Sequence, residues 1–324
     1  MAKSANLGFP RIGAFRELKK AVESYWKGNS TEQDLQNQAK EIRKTNWLTQ
    51  KNAGVDIIPS NDFSFYDLVL DHTAMFGLIP ARYKFTGEKV DLTTYFAIAR
   101  GRQVEGQDVV ASEMTKWFDT NYHYIVPELY KTSKFKLSSD KIFDQYLEAK
   151  ALGVETRPVL LGPITYLKLA KTKDEGIANL QFLPDLLPVY KEILQKLSSL
   201  GATQIQIDEP FLALDLTDAE RKIYKETYSE ISKFSNLKIT IATYFDDLRE
   251  NLETAVNLPV SALHVDLVRR PNQLETILAK LPADKTLSIG VVDGRNIWKN
   301  NFSKSTILID KAIATLGKDR VVIA

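Results

Sequence analysis

Eight short, apolar runs recur along the chain, and amphipathic stretches separate most of them. The runs are NLGFP (6–10), VDIIPS (55–60), TRPVLLGP (156–163), TQIQIDEP (203–210), LKITIATYF (237–245), ALHVDLV (262–268), TLSIGVVDG (286–294) and RVVIA (320–324). A strand with one face in water alternates apolar and polar residues. Most of these runs are too uniformly apolar for that, which is the pattern of parallel strands covered on both faces. Helical periods lie between them. From Phe15 onward, Leu18, Ala21, Val22 and Tyr25 recur at spacings of three and four and form one apolar face. LLPVYKEILQKLSSLG (186–201) has the same period and a glycine stop. FDDLRENLETAVNL (245–258), NQLETILAKL (272–281) and STILIDKAIATLGKD (305–319) behave alike.

Strand and helix alternating up to an eighth strand predicts an α/β fold, a (βα)8 TIM-type barrel. A doubly wound open sheet is the alternative. No glycine-rich dinucleotide turn follows any run, so the barrel is preferred. Two irregularities modify it. Residues 61–155 separate the second and third strands and hold several helical stretches, SEMTKWFDTNYHYIVPELY (112–130) among them. They predict a helical insertion rather than a loop. The chain also stops at Ala324, at the eighth strand and without its covering helix. That predicts a barrel truncated after the eighth strand and cut from a longer polypeptide.

Composition then narrows the chemistry. A chain of 324 residues can bury a large core. Lys and Arg total 43 against 41 Asp and Glu, a net charge of +2. Nothing global attracts nucleic acid, so any anion site must be local. There is no cysteine, which excludes disulfides, a thiolate nucleophile and a sulfur-based zinc site. MAKSANLGF lacks the apolar core of a signal peptide, and no run is long enough to span a membrane. A cytoplasmic location is the expectation.

The first helix opens with Arg16 and Lys19, and Lys20 behind them, where a helix start usually carries acids. In a barrel this turn lies near the C-terminal ends of the strands, the working face. Two readings stand: a local anion site beside free helix-start N–H groups, or solvated surface charge. QIDEP puts Asp208 and Glu209 at the end of the fourth strand, suited to acid–base work or metal binding. Strand alternation lets only one point inward. The other reading is one buried, hydrogen-bonded acid and one acid on the rim. His264 and Asp266 share a side of the sixth strand, as a ligand pair or as packed framework. His72 and His123 fall in the insertion, and no pair has metal-binding spacing. VVDGRNIW ends the seventh strand with Asp293, Gly294, Arg295 and Asn296, either a phosphate site or a tight turn holding an Asp–Arg pair. Lys116 sits among Trp117, Phe118, Tyr122 and Tyr124, which read as a ligand wall or as ordinary packing.

Taken together and in order, LGFPRIG, RELKKA, GVDIIPSNDFSFYD, EMTKWFDTNYHYIVPE, RPVLLGPITYL, QIDEP, ATYFDDLRENL, LHVDLVR and LSIGVVDGRNIWK resemble the N-terminal half of the cobalamin-independent methionine synthase family, from Asn6 to Ala324. The resemblance implies two (βα)8 barrels facing each other. It implies methyl transfer from a methyltetrahydrofolate polyglutamate to homocysteine, giving methionine. The family's zinc and homocysteine sit in the C-terminal barrel, on one His, two Cys and one Glu, so no cofactor is expected in this chain. By position, Arg16, Glu17, Leu18 and Lys19 are the family's folate-binding stretch, and Lys116 is a further contact to the folate tail. The implied partners are the folate polyglutamate and the C-terminal barrel, with neither nucleic acid nor membrane. The resemblance gives Asp208, Glu209, His264 and Arg295 no catalytic role, and the chain by itself is expected to be inactive. The competing expectations are a stand-alone folate-binding barrel and an unrelated barrel lyase or hydrolase using Asp208, Glu209 and His264.

Overall fold

The computed structural model describes residues 2–104 and 107–324. Eight parallel strands form one curled sheet: β1 (Lys3–Ser4), β2 (Ile58–Ser60), β3 (Thr156–Leu161), β4 (Gln204–Asp208), β5 (Lys238–Ala242), β6 (Ala262–Asp266), β7 (Thr286–Gly290) and β8 (Val321–Ile323). Each pairs with its sequence neighbour, and β8 pairs with β1 through Lys3↔Val322 and Ser4↔Ile323. A parallel bridge between Ala5 and Ile57 joins β1 to β2 and closes the cylinder. The (βα)8 barrel expected from the alternation is therefore the fold.

The first strand differs from its predicted position. It is residues 3–4 plus the Ala5 bridge, and NLGFP is the loop that follows. None of residues 6–10 is buried, and the Phe9 N–H donates to Asp62 Oδ2 at 2.7 Å rather than to a strand. Pro10 has no N–H to offer a ladder. The helical reading of 112–130 also fails. Met114–Lys116 pairs antiparallel with His123–Ile125, and Glu128–Leu129 pairs with Lys171–Thr172. The stretch is rich in Thr, Trp, Tyr, Ile and Val, whose branched and aromatic side chains suit a pleated surface. Residues 61–155 thus mix helix and strand: α3 (Leu68–Met75), α4 (Leu92–Arg100), α5 (Lys141–Ala151) and two antiparallel hairpins. α5 packs on β2 and β3 and serves as a barrel helix.

Two helices follow β1: α1 (Glu17–Trp26) and α2 (Glu32–Asn52). α2 is 21 residues long and mostly polar, and only Leu35, Ala39, Ile42 and Trp47 give it an apolar buried seam, so its sequence pattern is faint. A capping box of Thr31 and Asp34 starts it. The main core lies between strands and outer helices, with Leu160, Ile207, Ile241, Leu263, Leu287 and Ile289 at its centre. A second core joins α1 and α2 to the insertion through Leu18, Val22, Leu35, Leu70, Phe96 and Ile125. It ties the first helix and the 114–125 hairpin to one packed unit.

Candidate functional site

The loop from Asn6 to Arg16 runs along the C-terminal rim of the barrel. Phe9 is held by Asp62, and Arg11 Nη1 donates to the Ser64 carbonyl at 3.1 Å, both just past the end of β2. The loop turns at Gly13 and enters α1 through Arg16, whose φ of 63° and ψ of 36° are left-handed. That conformation costs an L-residue about 1–2 kcal/mol. Such strain also marks the rim at Asn61, Phe118 and Phe245, with φ of 62°, 49° and 83°. Strained backbone of this kind gathers where geometry serves a site.

The four residues of the RELK stretch divide their work. Glu17 Oε2 accepts the Phe15 N–H at 2.9 Å and folds back over Gly13, so its charge is used within the turn. Leu18 is buried in the second core and anchors the helix. Arg16 and Lys19 remain exposed. Arg16 makes no ion pair among the described residues, and Lys19 has only an exposed Glu23 at 3.5 Å. Lys116 is exposed on the neighbouring hairpin, opposite His123. No hydrogen bond or ion pair among the described residues links it to Arg16 or Lys19. Its hairpin is fastened across the rim: the Phe118 ring lies 5.2 Å from Phe211 and 5.3 Å from Phe245. Arg269 Nη1 donates to Asp119 Oδ2 and to the Phe245 carbonyl, each at 2.8 Å. That guanidinium holds the Asp119 carboxyl below the usual range. Beside Lys19 is a cavity of about 230 Å³ that also meets Arg11, Trp26 and Phe65. A larger depression of about 470 Å³ lies on the outer faces of α2 and α5, away from the rim residues.

Comparison with known proteins bears on this arrangement. Residues 3–317 match the family described as "Cobalamin-independent synthase, N-terminal domain". The chain belongs to that family. It is 56% identical over 326 residues to the 5-methyltetrahydropteroyltriglutamate–homocysteine methyltransferase of Flavobacterium johnsoniae, covering 99% of this chain and 42% of the relative. It is 52% identical to the Saccharomyces cerevisiae protein of the same name, covering 100% of this chain and 43% of that one. The chain thus spans less than half the length of these relatives. Among solved structures, a B12-independent methionine synthase from Shewanella sp. W3-18-1 superposes with a TM-score of 0.65 at 13% identity, covering 91% of this chain and 82% of that one. A methyltransferase from Methanosarcina mazei gives 0.60 at 11%, covering 99% and 87%. At such identities these two show a shared fold.

In this member of the cobalamin-independent synthase family, most of the other sequence candidates are engaged in hydrogen bonds within the barrel. Asp208 and Glu209 are both buried, so neither is a rim acid. Asp208 accepts from Gln206 Nε2 at 2.8 Å and from the Tyr244 hydroxyl at 3.1 Å. Burial pushes its carboxyl up to about 7, against the pull of those hydrogen bonds and of Arg157. Glu209 turns away from the lumen and accepts from the Thr165 N–H and hydroxyl, Tyr224 and Tyr228. Only Asp208 points inward, as strand alternation requires; the expected rim acid is instead buried between the barrel and its outer helices. His264 Nδ1 pairs with the Ser288 hydroxyl at 2.9 Å, and burial pulls the ring down to about 3, so it stays neutral. Asp266 caps the next loop by accepting the N–H groups of Val268 and Arg269, and ties it to the loop after β5 by accepting that of Phe245. It forms no ligand pair with His264. Asp293 accepts from the Arg295 N–H and the Asn296 side chain, while the Arg295 guanidinium lies over Phe245 at 5.5 Å. The tight turn is there, but Asp293 pairs with the Asn296 side chain and the Arg295 backbone rather than with the Arg295 guanidinium. Among the described residues no group of three His, Asp or Glu side chains is placed to hold a metal ion.

Two lumen and rim residues escaped the sequence reading. Arg157 on β3 is buried inside the barrel and donates to Gln206 at 2.7 Å. Arg11 stands in the cavity beside Lys19. The only signal for Arg11 was its place in the FPRIG motif, five residues before Arg16.

Proposed function

We propose that this chain is the N-terminal half of a cobalamin-independent methionine synthase, an enzyme that transfers the methyl group of 5-methyltetrahydrofolate polyglutamate to homocysteine. This half binds the polyglutamate tail and forms one wall of a cleft closed by a C-terminal barrel, in the cytoplasm. The observation that carries the reading is the RELK turn. Glu17 and Leu18 are used up holding the turn, while at the rim Arg16 is unpaired among the described residues and Lys19 has only the exposed Glu23.

A glutamate tail is a chain of carboxylates. Arg16, Lys19 and Lys116 meet it with charge-assisted hydrogen bonds, helped by N–H groups at the start of α1. Zinc in the C-terminal barrel would supply the ionised homocysteine thiol. The present residues bind and orient the folate, and orientation supplies a large part of a bimolecular rate enhancement. Phe15, Tyr122, Ile297 and Trp298 are all largely exposed, at 77, 72, 92 and 76%. They lie in the loop after β1, in the turn of the 114–125 hairpin and in the loop after β7, at the same end of the barrel, which supports a covering partner there.

The test is titration calorimetry of the chain with 5-methyltetrahydropteroyltriglutamate and its monoglutamate. Tighter binding of the triglutamate is expected. Arg16→Ala, Lys19→Ala and Lys116→Ala should each weaken it about two- to fivefold, as exposed charge contacts do, and added salt should weaken it further. Unchanged triglutamate affinity in all three variants refutes the tail site. The chain alone should show no methyl transfer, and measurable turnover without a C-terminal half would overturn the division of labour.

A further inference from the structure

We infer that the cavity beneath Lys19 is a subsite for one γ-linked glutamyl unit, with Arg11 as a binding residue that the RELK stretch does not include. The inference rests on the polyglutamate reading above and specifies where one unit of the tail goes.

Three features of the cavity carry it. Its volume is about 230 Å³, and Leu18, Val22 and Phe65 give it an apolar floor. Its charged wall is Arg11, Lys19 and Glu23. Trp26 lines it and is itself clamped, with Arg100 over one face at 3.7 Å and Phe96 edge-on at 5.5 Å. A γ-glutamyl unit has matching parts: an α-carboxylate, two methylenes and an amide N–H. The carboxylate meets Arg11 and Lys19, the methylenes lie on the floor, and Glu23 accepts the amide N–H.

Arg11 has the capacity for this. It is half-buried and has no ion-pair partner among the described residues. Its only hydrogen bond among the described residues is from Nη1 to the Ser64 carbonyl. A guanidinium has five N–H donors in a planar fork. The bond to Ser64 fixes the group and leaves the rest of the fork for a carboxylate. An arginine so placed is pre-positioned, and less ordering is lost on binding.

The experiment measures binding of pteroyltriglutamate and pteroylmonoglutamate to the 324-residue chain across a salt series. Arg11→Gln keeps a donor for the Ser64 carbonyl and removes the charge. It should weaken triglutamate binding about tenfold, the worth of one charge-assisted hydrogen bond. Monoglutamate binding should not change, and the salt dependence should become shallower. Arg11→Lys should recover part of the loss. Wild-type triglutamate affinity in Arg11→Gln, with Arg16→Ala and Lys19→Ala still weakened, overturns the subsite alone. Equal weakening for both folates also overturns it, because a merely structural Arg11 would act that way. A wild-type chain with no preference for the triglutamate overturns the tail reading underneath.

Discussion

Glu209 supplies a decisive test of framework against chemistry. Its carboxylate sits just past β4 and gathers donors from two helices. It accepts the Ile164 N–H at 3.3 Å and the Thr165 N–H at 2.9 Å, both in α6 (Pro163–Leu169). It also accepts the Thr165 hydroxyl at 2.6 Å, and the Tyr224 and Tyr228 hydroxyls at 3.1 and 2.8 Å from the helix Asp218–Ile231. All of this is fully buried. Glu209→Ala strands three hydroxyls and two amides in the core. Each unsatisfied buried donor costs about 1–3 kcal/mol. Removing a buried anion returns several kcal/mol of desolvation, so the net expectation is a loss of about 3–5 kcal/mol. Glu209→Gln keeps the shape and one acceptor oxygen but turns an NH2 toward donors, for a loss of about 1–2 kcal/mol. The assay is urea unfolding followed by circular dichroism, with the exposed Lys222→Ala as control, expected within about 0.5 kcal/mol of wild type. Amide exchange at Ile164 and Thr165 should accelerate in Glu209→Ala. An unfolding midpoint matching the control would refute the clamp and return Glu209 to the list of candidate acids.

Three other expectations follow from the same geometry. A Cβ at Gly162 would lie 2.1 Å from the Glu209 carboxyl carbon, so Gly162→Ala should cost about 2 kcal/mol by overpacking, measured by the same unfolding assay. Asp208 titrates near 7 when folded against an ordinary value of 3.8, so the folded state holds its proton more tightly. Its contribution is full below about pH 4 and is lost as pH rises through 7. Asp208→Asn should therefore be more stable than wild type above pH 7, and the gap should close toward pH 4 with a slope no steeper than about 1.4 kcal/mol per pH unit. A gap independent of pH would contradict the assignment. Arg16→Gly should relieve the left-handed strain and raise stability by about 0.5 kcal/mol, glycine's extra chain entropy offsetting part of the gain, while weakening triglutamate binding. A variant that is both less stable and equally good at binding would separate Arg16 from the site.

The barrel was legible in the residues because buried parallel strands have an unmistakable composition. Seven of the eight apolar runs contain the strand predicted within them. The exception, NLGFP, is apolar enough to pass for a strand, yet its pairing partner is decided by what lies opposite in the closed cylinder. The short β1 finds Val322 and Ile323 on one side and Ile57 on the other. The 112–130 stretch failed for a related reason. Its apolar residues satisfy helical spacing, but a hairpin buries Tyr124 in the main core and Ile125 in the second and lets Phe118 lock onto Phe211 and Phe245.

For the site, the sequence by itself determined that cations open the first helix, that the chain has no thiol, and that acids end the fourth strand. Tertiary structure alone decided which charges are free. Asp208 and Glu209 looked reactive, yet burial and hydrogen bonds from neighbouring Gln206 and from distant Tyr244, Tyr224 and Tyr228 occupy them. Arg11 looked like one more loop residue, yet folding sets it beside Lys19 over an apolar floor. Charge is a property of the residue, but its availability depends on desolvation and on partners many positions away, and those exist only once the chain has closed on itself.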